Sequence, residues 1–319
     1  MNKPMKLFYL WVIIIVLALS DCSLNKLVVN KLADALASGG GTTFTGDDDP
    51  ELVGAALPFA LKTYEALLEQ TPENTELLLA TGSAFAMYAN AFVQTPADML
   101  PELEFARREA MLVRAKKLYL RGRGYLLRAM ELRHPGFGAA LKEDAALKED
   151  TAGELLAEME TEDVPYLFWT AASWMGAFST DAFDMEMLMS VPKAVSMMQR
   201  ALVLEEEWGG GMIHDFFISY YGSVPEAMGG SEEKARHHFE RAVFFSEGGS
   251  ASPYVALATT VSVKNQNAAE FRDLLNKALA IDPDARPENR LANTISQRKA
   301  RWLLEHLEDF FLLDTPLEE

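Results

Sequence analysis

The chain has 319 residues, 49% of them hydrophobic, with 29 basic against 47 acidic side chains and a net charge of −18. A chain of that length buries a substantial core, and its negative field repels nucleic acid and anionic surfaces at long range, which removes nucleic-acid binding from the functions to consider. The single cysteine, Cys22, excludes an intrachain disulfide framework and a zinc site built from four cysteines.

Lys3 and Lys6 open the chain, Leu7 to Leu19 is an almost unbroken apolar run, and Cys22 follows within three residues of its end. The run is short for a membrane span, which needs roughly 20 apolar residues. The pattern resembles a bacterial lipoprotein signal, with Leu19, Ser20 and Asp21 before the cysteine, Asp21 standing where a small residue is usual. We expect residues 1–21 to be the signal peptide and Cys22 to carry the lipid, which holds the body on the periplasmic face of the inner or the outer membrane. Residues 22–50 read as a tether. Leu24, Leu27, Val28, Leu32 and Leu36 have the spacing of a short helix, and Ser38 to Thr43 with Asp47, Asp48 and Asp49 predict a flexible joint. Asp49 before Pro50 is a helix cap followed by a first-turn proline.

From residue 51 to 319 the chain alternates helical periodicity with turn signals at Thr71-Pro72, Thr95-Pro96, His134-Pro135-Gly136, Val164-Pro165, Gly209-Gly210-Gly211, Gly229-Gly230, Gly248-Gly249 and Asp282-Pro283. A recurring triad of small, large and small or apolar residues appears at Ala60, Tyr64, Leu67, at Ala194, Met198, Ala201, at Ala235, Phe239, Ala242, and with a large first member at Phe271, Leu275, Ala278. These offsets put three residues on one helix face, so each unit must stack on a neighbour to bury itself. The spacing of the last two units, roughly 35 to 40 residues, is that of tetratricopeptide pairs. The polar segment Ala139 to Glu162 reads as a solvated excursion between repeats. No strand pair is expected, and Ile213 to Tyr221 falls where the repeat requires a helix. The predicted fold is all-α, an irregular solenoid of tetratricopeptide-like hairpins.

The chemistry-bearing residues are sparse. The five histidines, His134, His214, His237, His238 and His306, show no metal-binding spacing, and there is neither a nucleophile elbow nor a phosphate-cradling loop. No metal, cofactor or catalysis is expected. Arg121 and Arg123, with Arg114, Lys116 and Lys117, form a basic stretch in an acidic chain. They read either as a solvated face paired with nearby glutamates or as an inward pair holding a carboxylate, from a repeat helix or from an organic-acid cargo. Trp169, Trp174, Phe178, Phe217 and Tyr221 read as core aromatics or as the walls of an apolar passage, with His214 a polar contact and the methionines Met185, Met187, Met189, Met197 and Met198 as filler or rim.

Several stretches in order carry a family resemblance: Asp49-Pro50-Glu51-Leu52-Val53 with Ala56 to Lys62, Tyr88 to Gln94, Ala115 to Arg123, Trp169 to Trp174, Gly230 to Ala242, and Arg290 to Asn293 with Gln297 to Leu304. In these the chain resembles the T component of tripartite ATP-independent periplasmic (TRAP) transporters, a lipoprotein with tetratricopeptide-like repeats. The resemblance implies a periplasmic helper that associates with a substrate-binding P component lipoprotein, and through it with the ion-driven permease subunits. It also implies a homotrimer with a cleft or pore in each protomer. The reading is a docking scaffold with an apolar conduit. A stand-alone carrier of a small hydrophobic ligand is the alternative, and an enzyme whose site is not visible in sequence is the third.

Overall fold

Asp49 starts the first long helix as its position requires: its Oδ1 accepts the Leu52 N–H at 3.0 Å, and Pro50 fills the first turn. The computed structural model describes residues 41–143 and 150–312. The signal peptide, Cys22 and the short helix expected from Leu24 to Ala37 lie outside the described residues. In chain order the helices are α1 (Gly41–Thr45), α2 (Pro50–Gln70), α3 (Thr75–Ala89), α4 (Thr95–Asp98), α5 (Phe105–Arg133), α6 (Phe137–Glu143), α7 (Asp150–Glu158), α8 (Val164–Ser179), α9 (Met185–Leu204), α10 (Trp208–Ser223), α11 (Glu232–Phe245), α12 (Ser252–Leu257), α13 (Ala268–Leu279) and α14 (Arg290–Glu305). The fold is all-α, with no strand among the described residues.

Side-chain caps set most of the long-helix starts. Asn74, Asp184, Ser231 and Asn267 each accept a backbone N–H three residues on, at 2.8, 3.0, 3.2 and 3.0 Å. Along α5 the buried positions are Ala115, Tyr119, Gly122, Leu126, Ala129 and Met130, a single stripe at offsets of three and four. That stripe lies on α3 at a point where both helices carry glycine. A Cβ on Gly122 would stand 2.7 Å from the Gly82 carbonyl oxygen, and one on Gly82 would stand 2.4 Å from the Leu126 side chain. The two backbones therefore cross closer than any larger residue allows. Leu77, Leu78, Leu126 and Met130 fill the core around the crossing, each contributing about 1.5–3 kcal/mol by leaving water.

The packing runs from α2 through α3, α5, α8 and α9, then from α10 through α11, α12 and α13 to α14. The last helix then returns to the first ones. Arg290 on α14 donates to the Gly46 carbonyl oxygen at 3.0 Å, and Arg298 bonds both carboxylate oxygens of Glu51 on α2. α1, in the segment expected to be a flexible joint, packs on α14 with Phe44 against the core.

Other differences have local causes. Thr95-Pro96 is no turn: the chain stays helical from Thr75 to Asp98, passing through a π-helical stretch at Asn90–Gln94. The wider π turn accommodates a proline ring and its missing N–H, which an α-helix at this point would not. In the expected excursion the described side chains of 139–142 and 153–162 include buried ones, Ala140, Leu141, Leu156 and Met159, and the Arg200 side chain binds the Ala157 and Met159 carbonyls. On α2 the buried stripe is Val53, Leu57, Leu61, Glu65 and Leu68, while Ala60, Tyr64 and Leu67 are only half-buried. The triads on α9 and α13 are fully buried, and on α11 Ala235 and Ala242 are buried around a half-buried Phe239.

Candidate functional site

The return of α14 to α2 leaves an open cleft of about 330 Å³ at the seam. Its walls are Tyr88 and Phe92 from the α3–π segment, Pro96 and Met99 beyond it, Pro50 from α2 and Ile295 from α14. Tyr88 and Phe92 stack with centroids 5.8 Å apart. The Glu51–Arg298 ion pair stands on the rim. Close by, burial raises the Asp98 carboxyl above the usual carboxylate range, against the opposing charges of Lys299 and Arg108. An apolar cleft with a few charged groups at its edge suits a ligand that has a hydrophobic body and one polar end.

The two arginines of the basic stretch part company. They are two residues apart on α5 and so point to different sides of it. Arg121 pairs with the buried Glu65 of α2, which also accepts from Lys62 at 2.6 Å and from the Tyr125 hydroxyl at 2.7 Å. Burial alone would raise the Glu65 carboxyl, but these hydrogen bonds and the Arg121 charge outweigh it and hold the carboxyl below its usual value. The carboxylate that Arg121 holds is thus the chain's own Glu65, on α2. Arg123 instead lies over the Trp174 ring and donates to the Met187 sulfur at 3.9 Å. Burial lowers its pKa, and Glu186 opposes that only through space. Trp174 donates its indole N–H to Ser190 at 2.7 Å.

His214, Phe217 and Tyr221, one helical turn apart on α10, gather around His238 of α11, a residue the sequence did not single out as a site. The His238 ring stands 5.0, 4.7 and 5.6 Å from the three ring centroids. His214 and His238 share one hydrogen bond between their Nδ1 atoms at 2.8 Å. Burial pushes both imidazoles down to about 4, with Glu206 opposing the shift in each. The neighbouring Asp215 carboxyl is pushed up to about 7 by burial, with Ser252 opposing, and its Oδ1 has no hydrogen-bond partner. The entry of α10 into this cluster is made by Gly209, Gly210 and Gly211 at φ of 62°, 65° and 98°, a left-handed turn that side-chain-bearing residues resist.

The six aromatic and histidine candidates do not form one wall. Trp174, His214, Phe217 and Tyr221 are buried, and Trp169 and Phe178 are half-buried. None of them lines the seam cleft. Trp169 packs edge-on against Phe168, which in turn meets Trp208 at the start of α10 with centroids 4.6 Å apart. The sequence reading missed Tyr88, Phe92, Met99 and Ile295 as a set, since they come together only when the two ends of the chain meet.

Residues 46–311 match the family described as TRAP transporter T-component. The chain is also similar to an uncharacterized protein of Treponema pallidum (strain Nichols), 36% identical over 306 residues that cover 92% of this chain and 94% of the relative.

Proposed function

This chain belongs to the TRAP transporter T-component family, a periplasmic transport component, and on that premise we propose that it is a lipid-anchored scaffold. In this reading it docks the substrate-binding P component, and through it serves the permease subunits. A hydrophobic or organic-acid solute passes along the cleft at the closing seam. The anchor is the lipid on Cys22, the helical array acts as a solenoid of tetratricopeptide-like units, and the working assembly is a homotrimer, as the family resemblance implies.

The observation that carries the reading is the cleft itself, an apolar slot of about 330 Å³ rimmed by Glu51 and Arg298. A solute with an apolar body and one polar end fits such a slot.

The test is retention of the P component on the immobilised full chain, together with solute transfer from loaded P component. Ala91→Trp, which fills the cleft from its wall, should leave retention intact and cut transfer at least tenfold. Failure to retain the P component would remove the scaffold. Tight solute binding by this chain alone would favour the stand-alone carrier, which the same cleft could also serve.

A further inference from the structure

Helix α2 opens the packed array, with α3 and α5 on its inner side and α14 at its first turn. Its outer face is apolar. Leu52, Ala55, Ala56, Phe59 and Ala66 are all exposed there, Phe59 by 80% and Leu52 by 58%. The polar member of the stripe, Thr63, donates its hydroxyl back to the Phe59 carbonyl at 3.0 Å, and Lys62 beside it is drawn toward Glu65 at 2.6 Å. From Leu52 to Ala66 the stripe runs about 21 Å with no charged residue in it, in a chain of which 24% is charged. The end unit of a stacked-helix array needs a polar outer face or a cover. Along this stripe the described residues supply neither.

The chain ahead of α2 carries a matching stripe. Laid out as a helix, the sequence 24–36 puts Leu24, Val28, Leu32, Ala35 and Leu36 on one side and Lys26, Asn30 and Asp34 on the other, with Lys31 at the edge, where a long side chain reaches water. Its length as a helix, about 18 Å, is close to that of the bare face. We propose that this segment, which lies outside the described residues, docks as a helix along the outer face of α2 and caps the array. An isolated helix so short is marginal in water, so its stripe needs an apolar partner just as the α2 face needs a cover.

Position selects this occupant over a second copy or another protein. α1 rests on α14, which holds Gly46 through Arg290 and Glu51 through Arg298, so the segment is delivered to the N-terminal end of α2. Ala37 to Gly40 join it to α1, a link that spans no more than about 18 Å. From there it runs antiparallel to α2, with Leu36 beside Leu52 and Leu24 toward Ala66. A partner on so short a link acts at an effective concentration in the millimolar range, which a free protein does not match. The docking itself stands without the lipid. Its consequence rests on the reading that Cys22 is acylated: the lipid, two residues ahead of Leu24, then lies by the C-terminal end of α2. That turns Gln70 toward the bilayer and the seam cleft, at Pro50 and Glu51, away from it.

The experiment uses the full lipid-modified chain on phosphatidylcholine vesicles and a short bismaleimide. Ala35→Cys is paired with Ala55→Cys and, as the mismatched control, with Ala66→Cys. The 35–55 pair should give at least fivefold more intrachain product than the 35–66 pair, and the same preference should hold in Cys22→Ser, which carries no lipid. Leu52→Ser/Phe59→Ser, at exposed positions that leave the core intact, should abolish it. Equal yields from the two pairs overturn the docking, and an interchain product in their place overturns it in favour of a second copy. A dye at Ala35→Cys that nitroxide lipids quench, with no crosslink formed, puts the segment in the bilayer and overturns it too. For the orientation, nitroxide lipids should quench a dye at Gln70→Cys at least twofold more than one at Asp48→Cys; equal quenching overturns the orientation alone. A chain that washes off the vesicles yet keeps the 35–55 preference overturns the lipid anchor and supports the docking.

Discussion

The guanidinium carbon of Arg123 sits 4.4 Å from the centroid of the Trp174 ring, so the cation that the sequence offered for a carboxylate is stacked on the indole that it offered for a passage. A partly desolvated stack of this kind contributes up to about 2 kcal/mol. Arg123→Met should therefore lower stability by about 1–2 kcal/mol and shift the tryptophan emission. Arg123→Lys should recover little, since a compact ammonium does not stack as the planar guanidinium does. Denaturant unfolding of the three proteins checks this, and a loss under 0.3 kcal/mol in Arg123→Met would show that the stack contributes nothing.

Glu65 holds three donors from two helices, which makes it the junction of α2 and α5. Glu65→Ala should cost about 1–2 kcal/mol, since it removes a buried acceptor and leaves the half-buried Tyr125 hydroxyl without its partner, while Lys62 and Arg121 can turn to water. Arg121→Ala should cost less than about 1 kcal/mol, because Arg121 is half exposed and Lys62 and Tyr125 remain. Chemical denaturation at two salt concentrations separates the two variants: the first loss should persist at 0.5 M salt by about the same amount, and the second should not.

The α10–α11 junction carries opposing pH dependences. Asp215 has a folded pKa of about 7 against an ordinary value of 3.8, so it favours the folded state below about pH 4, and that advantage is lost as pH rises through 7. His214 and His238, folded pKa about 4 against 6.5, contribute stability above 6.5 that is lost as pH falls through 4. Asp215→Asn should thus be more stable than the parent at pH 8, by up to about 4 kcal/mol, with the gain shrinking toward pH 4. His238→Gln should flatten the acid limb. Melting temperatures across pH 4 to 8 decide both, and an Asp215→Asn gain that is independent of pH would contradict the buried carboxyl.

Three glycines should respond in order. Gly210→Ala meets no atom within 4 Å and carries only the left-handed backbone penalty, about 1 kcal/mol. Gly211→Ala should cost more, because its Cβ would also press on the Ala242 backbone at 3.1 Å. Gly122→Val should cost most, above about 3 kcal/mol, by forcing α5 off α3. Thermal unfolding of the series checks the ranking.

Much of the helical framework was legible in local sequence. The cap at Asp49, the glycine turn at 209–211 and the buried triads on α9 and α13 follow from residue type and spacing. On α2 the register slipped because Ala60, Tyr64 and Leu67 offer a stripe as plausible as Val53, Leu57 and Leu61, and only the placement of neighbouring helices decides between them. The Thr95-Pro96 misreading has a similar source, since nothing local announces a π turn that spares a proline. The basic stretch was visible, yet its partners Glu65 and Trp174 lie on other helices. The seam cleft left no local trace at all, because Glu51 and Arg298 are 247 residues apart.

That separation bears on how the protein comes apart. Stacked-helix arrays ordinarily fray from their free ends, where the terminal unit has a neighbour on one side only. Here Arg290 and Arg298 clasp the opening segment at Gly46 and Glu51, so neither terminus of the described array is loose. Melting should instead begin inside, at the three-glycine bend in the first turn of α10. A nick at that bend, with the clasp intact, should leave two halves still joined.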